Sequence, residues 1–360
     1  MIHKFAIDEV KILLDVNSGA VHVLDDLAWE IVDLYKNASE AELTARFTGP
    51  YKAEEVREVL AELRQLEAEG LLFAADNQEE QYLLPENPVV KSLCLHAAHE
   101  CNLRCRYCFA GKGHFGGEGE LMPAATGRAA IDFLMRASGT RRHCEIDFFG
   151  GEPLLNFEVV KELVAFGREE SAKYGKEIKF TLTTNALLLD ETIAEFLDRE
   201  AISVVLSLDG RPEVHDRMRP APGGRGSYRE VADRITRFTA RRGHDNYYVR
   251  GTYTRFNLDF AADVLHMTDL GLKRLSVEPV VAPPRDEWAF REEDLPAIGR
   301  EYEILAREYL RRLEAGEPFD FFHFNLDLEQ GPCLPKRLTG CGAGHEYMAV
   351  TPAGDLYPCH

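Results

Sequence analysis

Two rhythms of apolar and polar residues divide the chain. Near the start, VKILLDV (10–16) and AVHVLDD (20–26) alternate with the period of a half-buried strand, and Asn17-Ser18-Gly19 between them reads as a hairpin turn. LAWEIVDLYKN (27–37) then repeats its apolar residues at helical spacing. Ser39 to Phe47 reads as a second helix, and EEVREVLAELRQLEAEG (54–70) as a third that Gly70 ends. A hairpin followed by short helices predicts a small winged-helix-like domain over residues 1–75. ADNQEEQYLLPENP, polar and Pro-containing, predicts a linker over 76–88.

From Val89 the rhythm changes. VVKSLCLH, HCEIDFFG, IKFTLTTN, ISVVLSLDG, YYVRGTYT and RLSVEPVV are short, apolar and β-branched, and helical stretches such as AATGRAAIDFLMRA and FEVVKELVAFGREESA separate them. Strands alternating with helices predict an α/β fold, a parallel sheet with crossover helices that forms a barrel or part of one over 89–326. Chemistry in such folds sits at the C-terminal ends of the strands. Polar motifs fall at those ends: CNLRC after the first strand, GGEP after the second, TTNA at the third and SLDG at the fourth. A stretch rich in Gly, Pro and Cys follows over 327–360.

Charge narrows the partners. The chain carries 42 Lys and Arg against 61 Asp and Glu, a net charge of −19, which argues against nucleic acid, since affinity for a phosphate backbone comes mainly from cations. Residues 1–75 hold 7 Lys and Arg against 15 Asp and Glu, so a winged-helix DNA binder is the wrong reading there. No apolar run is long enough to span a bilayer. Asp8 and Glu9 interrupt the region where a signal peptide needs an apolar stretch, so a cytoplasmic protein without a membrane partner is expected.

Of eight cysteines, Cys101, Cys105 and Cys108 crowd into CNLRCRYC, and Cys333, Cys341 and Cys359 lie in the last stretch. Cys94 and Cys144 stand in strand-like runs and read as core thiols. Three thiolates on one short loop suit an iron–sulfur cluster. Three ligands for four irons leave one iron open to the amine and carboxylate of a small molecule. A Cys3His zinc site completed by His96 or His99 is the competing reading, and a two-cluster ferredoxin lacks its sequential CxxC run.

The CxxxCxxC spacing with Tyr107 before the last Cys resembles the radical S-adenosylmethionine superfamily, and the other motifs agree in order. Gly150-Gly151-Glu152-Pro153 is similar to that family's GGEP segment, where glycines let the backbone approach a ligand and Glu152 accepts from the substrate ammonium. Thr183-Thr184-Asn185-Ala186 and Ser207-Leu208-Asp209-Gly210 end the third and fourth strands; by themselves they read as helix caps and turns, and the resemblance assigns them to the cofactor. His215-Asp216-Arg217-Met218-Arg219 resembles the HDxxR segment of peptide-modifying members.

Cys341-Gly342 followed by MAVTP and Gly354-Asp355-Leu356-Tyr357-Pro358-Cys359 resembles the opening of the SPASM domain, which binds auxiliary 4Fe–4S clusters. Its later cysteines are missing, so a fragment of a longer protein with a truncated cluster domain is expected. Cys341 and Cys359, with Cys333 as a third, are the expected auxiliary ligands. The N-terminal domain resembles the precursor-peptide recognition domain of ribosomal peptide maturases, which adds a leader peptide as a strand. DVNSGAVHVLDD, CNLRCRYCFAG and CGAGHEYMAVTPAGDLYPCH together look like maturases of the six-cysteines-in-forty-five peptides.

The resemblance implies a partial (β/α)6 barrel with a 4Fe–4S cluster on Cys101, Cys105 and Cys108 and bound S-adenosylmethionine. It implies a 5′-deoxyadenosyl radical, hydrogen abstraction from a precursor peptide, and a thioether as product. Tyr107 is expected near the adenine, and Glu152 with the Gly150–Gly151 backbone at the ammonium. Thr184 is assigned to the cofactor with its motif; Ser207, Asp209 and Asn185 are expected at the ribose or carboxylate, and Arg219 at the carboxylate. A ferredoxin or flavodoxin-type donor is the expected redox partner. No side chain reads as a general acid or base. The alternatives are a sulfatase-maturing oxidase and a zinc-stapled peptide-binding scaffold.

Overall fold

The computed structural model describes residues 1–76, 89–326 and 340–359; most of the expected linker, and Cys333, lie outside them. The described residues fall into two compact units, one within 1–76 and one formed by 89–325 with 341–359.

In the first unit, β1 (Ile2–Ile7), β2 (Val10–Asp15) and β3 (Val21–Leu24) form an antiparallel sheet in that order. The sequence pattern missed β1 because its residues are largely exposed and show no apolar face. The turn expected at Asn17-Ser18-Gly19 is held by Asp15, whose Oδ1 accepts from the amides of Asn17 (3.0 Å) and Ser18 (2.9 Å). Three helices follow, α1 (Asp26–Ile31), α2 (Glu40–Phe47) and α3 (Ala53–Ala68). The helix expected over 27–37 is regular only to Ile31; beyond it the amides of Leu34 and Tyr35 both turn back to the Ile31 carbonyl. Ser39 and Glu42 form a capping box at the start of α2. Gly70, at φ 72°, takes the left-handed conformation that stops α3. Leu13, Ile31, Leu43, Val56 and Leu60 make this unit's core.

The second unit holds the six expected strands: β4 (Ser92–Ala98), β5 (His143–Gly150), β6 (Glu177–Thr184), β7 (Ser203–Ser207), β8 (Tyr247–Tyr253) and β9 (Arg274–Pro279). They pair in chain order and all are parallel. Helices fill the crossovers: α4 (Ala124–Ala137), α5 (Phe157–Lys173), α6 (Glu191–Arg199), α7 (Pro212–Met218), α8 (Tyr228–Arg241) and α9 (Phe260–Asp269). After β9 come α10 (Leu295–Glu314) and a short β10 (Asp320–Phe321), which pairs with β9.

Alternation along the strands sorts their side chains. Leu93, Leu95, Cys144, Ile146, Phe148, Phe180, Leu182, Leu206, Val249 and Val277 belong to the buried core with the helices. Each large side chain of this kind contributes about 1.5–3 kcal/mol by burial. The intervening positions, Asp147, Thr181, Thr183, Val205, Ser207, Tyr248, Thr252 and Glu278, are only half-buried. A parallel sheet covered by helices on both faces would bury both sets; here the second face is an open, largely polar surface, as in a partial (β/α)6 barrel. Cys94 and Cys144 are buried thiols, as expected.

The strand expected at MAVTP is β11 (Tyr347–Val350), and it pairs in parallel with β4, Tyr347 opposite Ser92 and Val350 opposite Leu95. β12 (Leu356–Tyr357) pairs antiparallel with β11. The tail strands are thus part of the main sheet, which among the described residues has nine strands.

Candidate functional site

Cys101, Cys105 and Cys108 lie on the loop that leaves β4, and all three are free thiols. The loop is fixed from two sides. The amides of Arg104 and Arg106 donate to the carbonyls of Pro220 (2.8 Å) and Met218 (2.9 Å), at the C-terminal end of α7 and just beyond it. On the other side, Gly151 N donates to Ala98 O at 2.7 Å and Glu152 N to Glu100 O at 2.8 Å. This approach explains GGEP: a Cβ on Gly150 would stand 2.2 Å from Ala98 O, and one on Gly151 2.1 Å from Glu100 O. Gly150 also sits at φ 115°, a conformation side chains resist.

Glu152 is fully buried. Its carboxylate accepts from Thr184 Oγ1 (2.8 Å), Asn185 N (2.8 Å) and Leu154 N (3.1 Å), tying the end of β5 to the end of β6. It has no cationic partner among the described residues, and burial pushes its pKa up to about 7. Asn185 reaches further: its Nδ2 donates to Asn102 Oδ1 at 2.7 Å and lies 3.7 Å from Cys101 Sγ. GGEP, TTNA and the cysteine loop therefore meet at one place.

A second bonded group joins SLDG to the same loop. Asp209, fully buried, accepts from Tyr107 OH at 2.6 Å, Arg219 Nε at 3.0 Å and Thr252 N at 3.0 Å. The Arg219 guanidinium lies 5.4 Å from the Tyr107 ring centre. Asp209 thus ties Tyr107 and Arg219 together, as Thr184 ties Glu152 to the end of β6. Ser207 stands half-buried at the end of β7, opposite Arg250.

The HDRMR segment also has an internal task. Asp209 N donates to His215 Nδ1 (3.4 Å), His215 Nε2 meets Ser227 Oγ (3.0 Å), and Ser227 Oγ donates to Arg219 O (2.6 Å). Burial brings the His215 pKa down to about 4, so the ring is neutral and donates from Nε2. Asp216 accepts the amides of Ser227 and Tyr228, both at 2.8 Å, at the start of α8.

Burial raises the pKa of Cys101 to about 11, with Glu152 adding to the effect. It raises Cys105 to about 12, against the pull of Arg219. His96 Nδ1 and His99 Nε2 are 2.9 Å apart and bond to one another. Among the described residues no three His, Cys, Asp or Glu side chains stand close enough to hold a single metal ion. Cys341 and Cys359 are exposed thiols on the tail.

Sequence reasoning missed Asn102, the Thr252 amide and a polar chain at the far end of the sheet. There Glu278 accepts from Ser276 Oγ (2.6 Å) and pairs with His323 Nε2 (3.0 Å), and His323 Nδ1 meets Tyr302 OH (2.9 Å). These residues come from β9, α10 and the segment after β10, and no spacing in the chain links them.

The donor set fits the expected cofactors. Three free thiols on one loop are the usual ligands of an iron–sulfur cluster. A buried carboxylate lacking a counter-cation, with three of its roughly four acceptor positions filled, retains one for an ammonium.

Comparison with known proteins agrees with this geometry. Residues 91–232 match the family described as a 4Fe-4S single cluster domain. An uncharacterized protein of Methanocaldococcus jannaschii is 34% identical over 138 residues, 38% of this chain and 45% of the relative. A cysteine-type anaerobic sulfatase-maturating enzyme of Clostridium perfringens is 33% identical over 134 residues, 36% of this chain and 35% of the relative. The matched segments thus span less than half the length of these relatives. Among solved structures, native anSMEcpe with bound AdoMet superposes with a TM-score of 0.63 at 22% identity, covering 74% of each chain. The matched family is described by its 4Fe–4S cluster, and the superposed structure of anSMEcpe holds bound AdoMet. Residues 91–232 therefore resemble the 4Fe–4S single cluster domain family, and the sheet shares its fold with native anSMEcpe.

Proposed function

We propose that this chain is a radical S-adenosylmethionine enzyme that modifies a ribosomally made, Cys-rich precursor peptide by forming a thioether cross-link. The observation that carries the reading is the convergence of a three-thiol loop and an unpaired buried carboxylate, Glu152, at one end of an open-faced parallel sheet. Cys101, Cys105 and Cys108 would hold the cluster. Glu152 and the Gly150–Gly151 backbone would receive the ammonium of S-adenosylmethionine. Arg219, Asn185 and Ser207 would serve its carboxylate and ribose, and Tyr107 its adenine. When bound, these groups supply one-electron cleavage of the sulfonium and a radical that takes a hydrogen atom from the peptide. The half-buried inner face, from Asp147 to Glu278, is where a peptide would lie, and covering it would exclude water from the reacting atoms.

The first unit supports a peptide substrate. Its sheet has β1 and β3 as outer strands, and an extended peptide adds to such a strand through main-chain hydrogen bonds. Cys341 and Cys359, with Cys333 outside the described residues, would ligate an auxiliary 4Fe–4S cluster in a longer form of the protein. A ferredoxin or flavodoxin-type protein would supply the electron.

The identity with the sulfatase-maturating enzyme favours a second reading, oxidation of a single Cys in a peptide. Anaerobic reconstitution followed by incubation with dithionite, S-adenosylmethionine and the Cys-rich peptide encoded nearest the gene tests both. A brown protein that releases 5′-deoxyadenosine and a peptide with Cys sulfur linked to another residue supports the thioether reading. An oxidised Cys without a cross-link supports the second. A colourless protein holding one zinc overturns both.

A further inference from the structure

The polar chain at the far end of the sheet has a direction. Tyr253 bonds to Tyr302, whose oxygen accepts, and Tyr302 OH in turn meets His323 Nδ1 at 2.9 Å. With Nδ1 taken by the Tyr302 proton, His323 keeps its N–H on Nε2, which donates to Glu278 Oε2 at 3.0 Å. Ser276 Oγ donates to the other carboxylate oxygen at 2.6 Å. Every donor in the chain points toward Glu278, and the carboxylate is its end. Two of its roughly four acceptor positions are filled.

Burial would raise the Glu278 pKa, but the Ser276 and His323 hydrogen bonds outweigh it and hold the carboxyl below its usual range. The group is therefore ionised at neutral pH. His323 is a neutral donor in this arrangement, and no Lys or Arg forms an ion pair with Glu278 among the described residues. Arg250 shares the open face and helps keep the carboxylate charged, but its side chain is exposed and forms no ion pair among the described residues.

The carboxylate lies at the level of the site. Glu278 stands opposite Thr252 in the register of β8 and β9, and the Thr252 amide bonds to Asp209 at 3.0 Å. The row just below it runs from Ser207 through Arg250 to Ser276. Two strand spacings, about 10 Å, separate Ser276 from Ser207, and Glu278 is one side-chain step beyond, at the rim of the open face with its side chain 26% exposed.

We propose that Glu278 anchors a cationic side chain, Lys or Arg, of the precursor peptide close to the residue that reacts. The proposal rests on the peptide-modifying reading above and deepens it. A peptide laid over the open face strips water from Glu278. An ionised carboxylate covered in this way is destabilising unless a charged donor replaces the water, and its two unfilled acceptor positions suit a guanidinium or an ammonium. The donors behind it stop the carboxylate from turning away, so little freedom is lost on binding. Counted from Ser207, assigned above to the ribose, a distance of about 10 Å at about 3.3 Å per extended residue places the cation within about three residues of the reacting position.

The test titrates the Cys-rich peptide encoded nearest the gene onto the full chain, reconstituted anaerobically and supplied with S-adenosylmethionine. Each Lys within about three residues of the modified position is replaced by norleucine and each Arg by citrulline, and wild type is compared with Glu278→Gln. One replacement should weaken binding to wild type about thirtyfold or more, and the same replacement should change binding to Glu278→Gln by less than about threefold. Equal losses in the two chains overturn the inference. So does a wild type indifferent to every replacement, or a peptide that is modified without a Lys or Arg in that window. A Glu278→Gln chain that keeps full affinity but forms no cross-link would make Glu278 a proton acceptor, and overturns it too. Should Glu278→Gln misfold and bind every peptide weakly, the replacements on wild type decide alone. A wild type that binds no form of the peptide removes the peptide reading itself, and the inference with it.

Discussion

The Tyr107 hydroxyl donates to Asp209 Oδ2 at 2.6 Å across 102 residues of chain, and Arg219 holds the other oxygen at 3.0 Å. The bond fastens the cysteine loop to the end of β7 in an enclosed place. Tyr107→Phe would leave one oxygen of a buried carboxylate without its donor, a loss of about 1.5–3 kcal/mol. Asp209→Asn would leave Arg219 without its counter-charge, at about 3–5 kcal/mol. Replacing the ionic pair together, as Asp209→Asn with Arg219→Met, should cost less than the two single changes summed. Urea denaturation of the four proteins checks this, and additive losses would show that the pair is not coupled.

Gly151 should tolerate no side chain. Gly151→Ala drives a methyl into the Glu100 carbonyl, which is backbone and cannot swing aside. The cysteine loop must then move, and iron bound after anaerobic reconstitution should fall several-fold. Gly175 is the control: it sits at φ 63° with open space around it, so Gly175→Ala should cost about 1 kcal/mol and leave iron loading intact. Equal iron contents in the two variants would mean that the close approach is not needed.

Cluster loading should favour alkaline conditions. Cys101 and Cys105, raised to about 11 and 12 by burial, carry protons at neutral pH in the metal-free chain. Iron binds thiolates, so each bond formed displaces a proton. Iron uptake from a fixed iron and sulfide supply should therefore rise between pH 7 and 9, with protons released to the medium. Cys105→Ala should abolish stable loading, because two thiolates remain. A pH-independent uptake, or a full iron complement in Cys105→Ala, would count against the assignment.

His215 should make stability depend on pH. Its folded pKa, about 4, lies below the value of about 6.5 expected in the unfolded chain. A depressed value means that the unfolded chain takes up the proton first as pH falls. The contribution is thus complete above about 6.5 and is lost on the way down to about 4, an effect on the order of 3 kcal/mol. Unfolding free energies of wild type and His215→Gln, measured at pH 7 and pH 4.5, should converge at the lower pH. A gap that stays constant would show that His215 does not titrate in this window.

The sheet was legible where buried strands advertise themselves. VVKSLCLH and ISVVLSLDG are short, apolar-rich, β-branched stretches next to polar motifs, and β4 and β7 lie there. β1 was not legible because its residues have no buried face, and α10 keeps only Leu305 fully buried along its 20 residues. In the site, motif spacing gave the residues but not who bonds to whom. That Thr184 would donate to Glu152, or that His215 would brace Asp209 through its amide, depends on strand register and on how the loops fold back. The Glu278–His323–Tyr302 chain is invisible for the same reason: three residues far apart in sequence become partners only once the strands align.

The pairing of Tyr347–Val350 with Ser92–Leu95 bears on how the protein should be handled. Strip the tail away and the strand that leads into the cysteines presents a bare row of amides and carbonyls, flanked by Leu93 and Leu95. Such a row is a template on which other chains assemble. Versions cut before Cys341 should therefore precipitate or self-associate when produced, and the fault would lie in the exposed ladder rather than in any missing ligand.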